Sequence, residues 1–271
     1  TINHPKKMTD INFNKVLIEP NWDLVKFRAS SWGNLLAEPK DAAEKKAGGL
    51  GMTAKKELIK IYNLVVYDWD EDVYTPAMEK GTLVQPESIA MYSKVEGKLF
   101  TENTEQLENE FFKGMPDVFD GKTVRTSKQV DDMKNSWSLK TFSPKFIEPV
   151  TMSHKAQLNI YYDLSGADGG NIVHTLISMP ESMFKSECDR LLWKMANKGE
   201  IATEYAPEYL EEVEKLKKQH FFDHIDERER VFKQPVAKDE ELIQKMKDKV
   251  PIFRQWLADY HKLRQNHYPK S

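Results

Sequence analysis

Apolar residues recur at helical spacing in several parts of the chain. One helix, capped by Thr53, is predicted over about 54–66 by the apolar residues Leu58, Ile59, Ile61, Tyr62, Val65 and Val66. A short helix is predicted to open at Pro86, because proline is tolerated in the first turn. Further helices are predicted over about 153–164 and from 181 onward, where 251–264 is amphipathic.

Short apolar runs in the centre of the chain predict β-strands. They cover residues 98–100, 110–112, 115–119, 129–133 and 171–179. Residues 1–50 read as irregular, and an acidic loop follows the first helix with Asp68, Asp70, Glu71 and Asp72. Central strands with helices before, between and after them predict an α/β fold, a central mixed β-sheet flanked by helices. We expect one domain over 1–271, with helical additions at both ends and a helical C-terminal extension over about 181–271.

Composition narrows the class of protein. The 271 residues carry a net charge of −3, which argues against nucleic-acid binding by bulk charge but leaves room for a local basic groove. The sequence contains no apolar run of about 18–20 residues, so no membrane span is expected. The single cysteine, Cys188, excludes an internal disulfide framework and a four-cysteine zinc site. With no apolar signal segment at the start, we expect a cytoplasmic protein.

Candidate chemistry lies on two of the central strands. Asp117 ends one strand, and Asp132 and Lys134 alternate with Met133 on another, so both are expected to project together while Met133 faces the core. Two carboxylates and an ammonium then meet at one sheet edge. Carboxylates hold Mg²⁺ while leaving positions for water and phosphate, and a nearby lysine stabilises charge on a phosphate.

The run Pro116-Asp117…Asp132-Met133-Lys134 resembles the signature of the PD-(D/E)XK nuclease superfamily. Three further features match RecB-type and lambda-exonuclease-like members: Gly114 before the Pro-Asp pair, the segment Glu79-Lys80-Gly81…Glu87, and the Q-x-x-x-Y motif at Gln157 and Tyr161. Gln157 and Tyr161 lie four residues apart, on one helix face. The resemblance spans about 79–179.

This resemblance implies a Mg²⁺- or Mn²⁺-dependent DNA exonuclease acting at DNA ends, of the phage recombination, replication or repair type. It implies that one or two metal ions are held by Glu87, Asp117, Asp132 and the backbone carbonyl of Met133. Lys134 would act on the water and the phosphate, with Gln157 and Tyr161 orienting Lys134 or the phosphate. Related phage exonucleases also imply that Arg28 and Ser30 contact DNA phosphates.

The spacing between the two strands makes a geometric demand. A tight hairpin at Asp120-Gly121 would separate Asp117 from Asp132 by over about 20 Å, too far for one metal site. We therefore predict that 120–128 forms a longer loop or side excursion, whose Lys122, Arg125 and Lys128 suit DNA phosphates. Residues 113–155 carry eight basic and five acidic side chains. The net charge of this segment is therefore positive, opposite in sign to that of the whole chain, as suits a DNA-facing groove.

Several alternatives stay open. An endonuclease of the same fold, an RNA nuclease, and a non-catalytic nucleic-acid-binding or assembly protein each fit parts of the sequence. Possible partners besides DNA are a single-strand annealing or recombination protein and further copies of the chain. His220 and His224 are predicted to be solvated, and Trp137 and Phe142 are expected to pack in the core.

Overall fold

The computed structural model describes residues 19–70, 74–197, 199 and 203–267. The first 18 residues of the predicted irregular segment, and Glu71 and Asp72 of the acidic loop, lie outside the described residues. None of the helices within these ranges combines the length and the apolar character that a membrane span requires.

Eight short strands form two sheets in the described chain. Their bounds are β1 Phe27–Arg28, β2 Thr101–Glu102, β3 Leu107–Glu108, β4 Phe112–Gly114, β5 Val118–Phe119, β6 Val130–Asn135, β7 Gly169–Thr175 and β8 Val231–Ala237. The larger sheet has the order β2-β5-β6-β7-β8, with β6 and β7 parallel and the other pairs antiparallel. The smaller sheet has the order β1-β4-β3. The sheet is therefore mixed, as predicted.

Helices cover both faces of the larger sheet. Their bounds are α1 Trp32–Leu35, α2 Ala42–Lys46, α3 Met52–Tyr67, α4 Pro76–Glu96, α5 Leu139–Phe142, α6 Met152–Ser165, α7 Glu181–Asn197, α8 Pro207–His220 and α9 Glu240–His267. The main core lies between the larger sheet, α6 and α9, where Val130, Tyr162 and Phe253 are fully buried. A second core lies on the opposite face, where Tyr92 of α4 packs with Val118 and Met133. The predicted α/β arrangement of helices on a mixed sheet is confirmed.

The helix predicted to open at Pro86 begins ten residues earlier. Its cap is Thr75, whose hydroxyl accepts a hydrogen bond from the Met78 amide, and Pro76 takes the first helical position. Pro86 lies inside the helix, at a cost of about 3 kcal/mol in an isolated helix. Burial of apolar residues on both sides of it, including Val84 and Tyr92, offsets that cost.

The C-terminal extension is not wholly helical, which corrects the sequence prediction. Residues 231–237 form β8, which pairs with the whole length of β7 and closes one edge of the larger sheet. Pro235 interrupts the apolar pattern there, and such a residue is tolerated because β8 is an edge strand. The segment lacks the alternation that would have marked it as a strand.

The segment 120–128 makes the predicted excursion. Val118 pairs with Asp131 and Phe119 with Val130, so the residues between them stand outside the ladder. The excursion includes a 3-10 helix, Val124–Thr126, and Val124 is buried in the main core. Asp120 closes its base by accepting a hydrogen bond from the Gln129 amide at 3.1 Å. Asp117 thereby lies beside Asp132, as the geometric argument demanded.

Candidate active site

The Pro116-Asp117 turn lies where the chain leaves the smaller sheet and enters the larger one. Neighbouring backbone holds it on both sides: the Asp117 amide donates to the Asp131 carbonyl at 3.2 Å, and the Asp117 carbonyl accepts from the Asn103 amide at 2.9 Å. The Asn103 side chain also donates to the Pro116 carbonyl at 3.0 Å. The side chain of Asp117 is thus aimed at β6, where its Oδ2 accepts a hydrogen bond from the Met133 amide at 2.6 Å.

Asp132 and Lys134 project to the same side of β6, as strand alternation predicted. Lys134 Nζ lies 2.6 Å from Asp132 Oδ2. Asp132 is only 1% exposed, whereas the Lys134 side chain retains 35% exposure. Met133, between them, buries its side chain against Val118 and Val173. A deeply buried carboxylate is therefore paired with an ammonium that still reaches solvent.

Gln157 and Tyr161 lie side by side on the face of α6 that covers this pair. The Gln157 amide nitrogen lies 3.0 Å from Asp132 Oδ1 and 2.8 Å from the Tyr161 hydroxyl, and donates to both. Tyr161 can approach closely because residue 114 is glycine: a Cβ there would lie 2.8 Å from the tyrosine ring. Gly114 therefore lets the Tyr161 ring pack closely against the backbone, and Gln157, which is bonded to Tyr161, holds the Asp132 carboxylate in place.

Burial and charge shift the protonation equilibria of these groups. Burial, followed by the negative charge of Asp132, raises the pKa of Asp117 to about 7. Burial acts to lower the pKa of Lys134, but the charges of Asp132 and Asp117 outweigh it and raise that pKa above its usual value. Burial and the same two carboxylates raise the pKa of Tyr161 well above its usual value, so its hydroxyl keeps its proton. The site therefore holds excess negative charge that a cation would neutralise.

The donor atoms present suit a hard divalent cation. Asp132 Oδ2 is buried and accepts no hydrogen bond in suitable geometry from any described residue, although Lys134 Nζ lies close to it. Carboxylate oxygens are preferred by Mg²⁺, which keeps several of its waters and needs only one or two protein carboxylates. The described residues include no ready-made group of three acidic, histidine or cysteine side chains around a metal position. Asp117 and Asp132 would thus hold the ion with help from water, phosphate or a further group.

The structure does not bring Glu87 together with these carboxylates. Its side chain is exposed on α4, and its negative charge acts to raise the pKa of Lys80. Lys80 is fully buried and donates hydrogen bonds to the carbonyls of Ser136 and Trp137, at 3.0 and 3.2 Å. The resemblance alone thus assigned Glu87 to the metal, and the geometry supplies no contact that supports it.

Arg28 and Ser30 line a cavity of about 390 Å³ that reaches the active site. Its walls also include Lys113, Gly114 and Tyr161. Arg28 makes an exposed ion pair with Asp70 at 3.2 Å. Hydrogen bonds from Gln157 to Tyr161 and to Asp132 therefore link the lining of this cavity to the buried carboxylate.

The three basic residues of the excursion are exposed. They lie at the loop end of the β5–β6 hairpin, whereas Lys134 lies toward the opposite end of β6. Arg125 pairs with Glu105 at 2.8 Å. Lys122 and Lys128 are exposed. Neither contact nor charge joins these residues to Asp117 or Asp132, and their DNA contacts stay a prediction.

Two residues near the site were missed by sequence reasoning. Glu102 of β2 contributes to the raised pKa of Asp117 through its negative charge. His154 lies one turn before Gln157 on α6; burial, followed by the charge of Lys134, lowers its pKa. The i, i+3 spacing of His154 and Gln157 was a usable signal. Glu102 had none, because strand pairing alone brings β2 beside Asp117.

Four other side chains bear on questions that the sequence left open. Phe142 is buried with Leu176 and Phe222, which confirms its core packing. Trp137 is half-buried and packs edge-on against His220, so its predicted packing is met only in part. His224 is exposed as predicted. The prediction of a solvated His220 is wrong: it is 5% exposed at the end of α8, because Trp137 covers it.

Comparison with known proteins places this arrangement among solved folds. A phage-related exonuclease from Haemophilus somnus 129PT matches with a TM-score of 0.66 and 21% identity, covering 88% of this chain and 96% of that chain. The alkaline exonuclease LHK-Exo from Laribacter hongkongensis matches with a TM-score of 0.57 and 15% identity, covering 91% of this chain and 96% of that chain. Its complex with dAMP matches with a TM-score of 0.58 and 13% identity, covering 90% and 94%. No protein-family profile and no curated protein matches the chain. The chain therefore has the fold of these solved phage-related and alkaline exonucleases.

Proposed function

We propose that this protein is a divalent-metal-dependent deoxyribonuclease that hydrolyses phosphodiester bonds from DNA ends. The observation that carries the proposal is the convergence of Asp117, Asp132 and Lys134, in which a buried carboxylate oxygen of Asp132 faces the Lys134 ammonium at 2.6 Å. The likeness to exonucleases, one of them solved with dAMP, supports DNA as the substrate.

In this proposal Asp117 and Asp132 hold one or two Mg²⁺ or Mn²⁺ ions, with the Met133 carbonyl as a further ligand. When bound there, such an ion would supply a water of lowered pKa and a positive charge that stabilises the phosphate. Lys134 lies beside Asp132 with part of its side chain exposed, so its ammonium orients the attacking water and stabilises the developing charge. Gln157 fixes the Asp132 carboxylate, and the neutral Tyr161 hydroxyl donates toward a phosphate oxygen.

End-directed action is supported by the cavity beside the catalytic residues. Arg28, Ser30 and Lys113 line it, and two of these three carry positive charge. An endonuclease on the same fold is the second candidate, because the PD-(D/E)XK chemistry is common to both. A non-catalytic DNA-binding role is disfavoured by the presence of all three catalytic side chains. A place in phage-type recombination, replication or repair, with a single-strand annealing partner or as a homo-oligomer, extends the same proposal.

The test compares a linear end-labelled duplex with its closed circular counterpart, each incubated with Mg²⁺. Asp132→Asn and a chelator serve as negative controls, and an RNA duplex tests the sugar preference. Degradation of only the linear DNA, lost in the variant and with chelator, is the expected result. Cutting of the circle would favour the endonuclease. Intact binding without cleavage of any substrate would contradict the enzyme proposal.

A further inference from the structure

Strand β2 carries a carboxylate, Glu102, on the stretch of backbone that runs beside Asp117. Glu102 pairs in register with Val118, the residue that follows Asp117. The next residue along β2, Asn103, donates its amide to the Asp117 carbonyl at 2.9 Å. The backbone of β2 therefore runs directly beside the Pro116-Asp117 turn, and the Glu102 side chain is exposed there.

Helix α4 reaches the same carboxylate through Gln85. Its amide nitrogen lies 3.4 Å from Glu102 Oε1. Gln85 belongs to the stripe of α4 that faces β6, together with Ser88, which bonds Asn135, and Tyr92, which donates to Asp131 at 2.9 Å. Glu87 lies two residues from Gln85, about 200° around the helix axis. Of these two residues, Gln85 is thus the one whose side chain reaches the β2 carboxylate beside Asp117.

The charge balance around a divalent cation leaves room for one more acidic ligand. Asp117, Asp132 and Glu102 carry three negative charges when ionised against one positive charge on Lys134, a balance that a divalent cation neutralises. Asp132 Oδ2 is buried and faces the Lys134 ammonium at 2.6 Å. Glu102 is an acidic side chain that strand pairing places beside Asp117.

We propose that Glu102, and not Glu87, is the third acidic group of the metal site, and that Gln85 is its positioning residue. This inference rests on the proposed metal-dependent nuclease. The third ligand thereby comes from an edge strand instead of from α4. Its exposure leaves it accessible to a hydrated ion and to the phosphate of the substrate.

The experiment measures Mn²⁺ affinity by calorimetry and electron paramagnetic resonance, together with the Mg²⁺ concentration that half-saturates cleavage of linear DNA. We expect Glu102→Gln to weaken Mn²⁺ binding about 10- to 100-fold, with activity partly restored at high Mg²⁺. Glu110→Gln is the matched control. The Glu110 side chain is exposed, and the bond that Arg254 makes to this residue goes to its backbone carbonyl. This variant should bind Mn²⁺ as the wild type does. Circular dichroism verifies that the variants fold.

The role of Gln85 is tested by a double-mutant cycle. Gln85→Leu should weaken Mn²⁺ binding in the wild-type background and have no effect in the Glu102→Gln background, a result that a general structural defect would not produce. Loss of Mn²⁺ affinity in Glu87→Gln, with Glu102→Gln unaffected, would overturn the inference while the nuclease proposal stands. A wild type that neither binds Mn²⁺ nor cleaves DNA would overturn both.

Discussion

Lys134 is the residue at which the protein's charge arrangement and its proposed chemistry are most tightly linked. Its ammonium faces Asp132 at 2.6 Å and keeps about a third of its side chain exposed. The retained exposure suits a group that also meets water and substrate, because both must enter from the solvent side.

Replacing Lys134 by methionine separates its two roles. Activity on linear DNA should fall about 10²- to 10³-fold, since a donor aimed at developing charge is lost. Mn²⁺ binding should be retained or become tighter, because the positive charge beside Asp132 is removed. Single-turnover cleavage and Mn²⁺ calorimetry on the same preparation measure both effects. A parallel loss of Mn²⁺ affinity would show that the lysine acts through the metal site instead.

Lys80 makes a prediction about stability rather than activity. Burial is the main cause that lowers the pKa of Lys80, to about 8, below its usual value in an unfolded chain. The folded protein therefore favours the neutral form of Lys80. The stabilisation that results is complete above the pKa that lysine has in the unfolded chain, and it is lost as the pH falls to the lower pKa that Lys80 has in the folded protein. Between about pH 8 and 10, Lys80 should therefore add to the free energy of unfolding as the pH rises, by at most about 1.4 kcal/mol per pH unit.

Urea unfolding at several pH values across this range measures that slope. The Lys80→Met variant is the comparison, because tyrosines titrate in the same range in both proteins. The variant should lack the Lys80 part of the slope, although it also loses two hydrogen bonds to the Ser136 and Trp137 carbonyls. Identical slopes in the two proteins would contradict the low pKa.

At the scale of elements, β6 and β7 form the parallel pair that supports the proposed catalytic residues Asp132 and Lys134. Asp132 pairs with Ile172 and Lys134 with His174. The two strands start close together at Gly170, where an added Cβ would lie 1.8 Å from the Val130 carbonyl oxygen. A glycine is required there because the opposing atom belongs to the backbone and cannot turn aside.

Substitution of Gly170 by alanine should destabilise the fold by about 1–3 kcal/mol, as overpacking does elsewhere. Gly81 is the matched control: it lies within α4, and an added Cβ would meet nothing within 4 Å. Gly81→Ala should stabilise the protein by about 0.5–1 kcal/mol. Thermal and chemical unfolding of the two variants give the comparison, and equal effects would show that the close approach at Gly170 is relieved elsewhere.

At the scale of the whole molecule, a chain of net charge −3 must bind a polyanion through local positive charge. The cavity beside Tyr161 offers Arg28 and Lys113, and the charge of Arg28 is shared with Asp70. Burial, followed by repulsion from the positive charge of Arg28, lowers the pKa of Lys113. An anion bound between the two cations would relieve that repulsion.

Arg28→Ala should therefore weaken binding of a linear duplex and reduce the salt slope of log K by about one, as expected for one lost phosphate contact. Binding is measured by fluorescence anisotropy with Ca²⁺, to prevent cleavage, over a series of salt concentrations. Lys46→Ala, at an exposed position of α2, is the control for a general change of charge. An unchanged slope in Arg28→Ala would remove Arg28 from the DNA-binding surface.

Local sequence determined those features of this protein that depend on chemistry within one segment. Strand alternation predicted the shared side of Asp132 and Lys134, helix periodicity predicted α3, α6 and the shared face of Gln157 and Tyr161, and the spacing of Asp117 and Asp132 predicted the 120–128 excursion. Long-range packing decided the rest. It let α4 extend through Pro86, made 231–237 an edge strand, covered His220 with Trp137, and brought Glu102 beside Asp117 while Glu87 stayed apart. These outcomes depend on which strands pair and which helix faces are buried. Such choices are fixed by the free energy of the whole core and are not encoded in any single short segment.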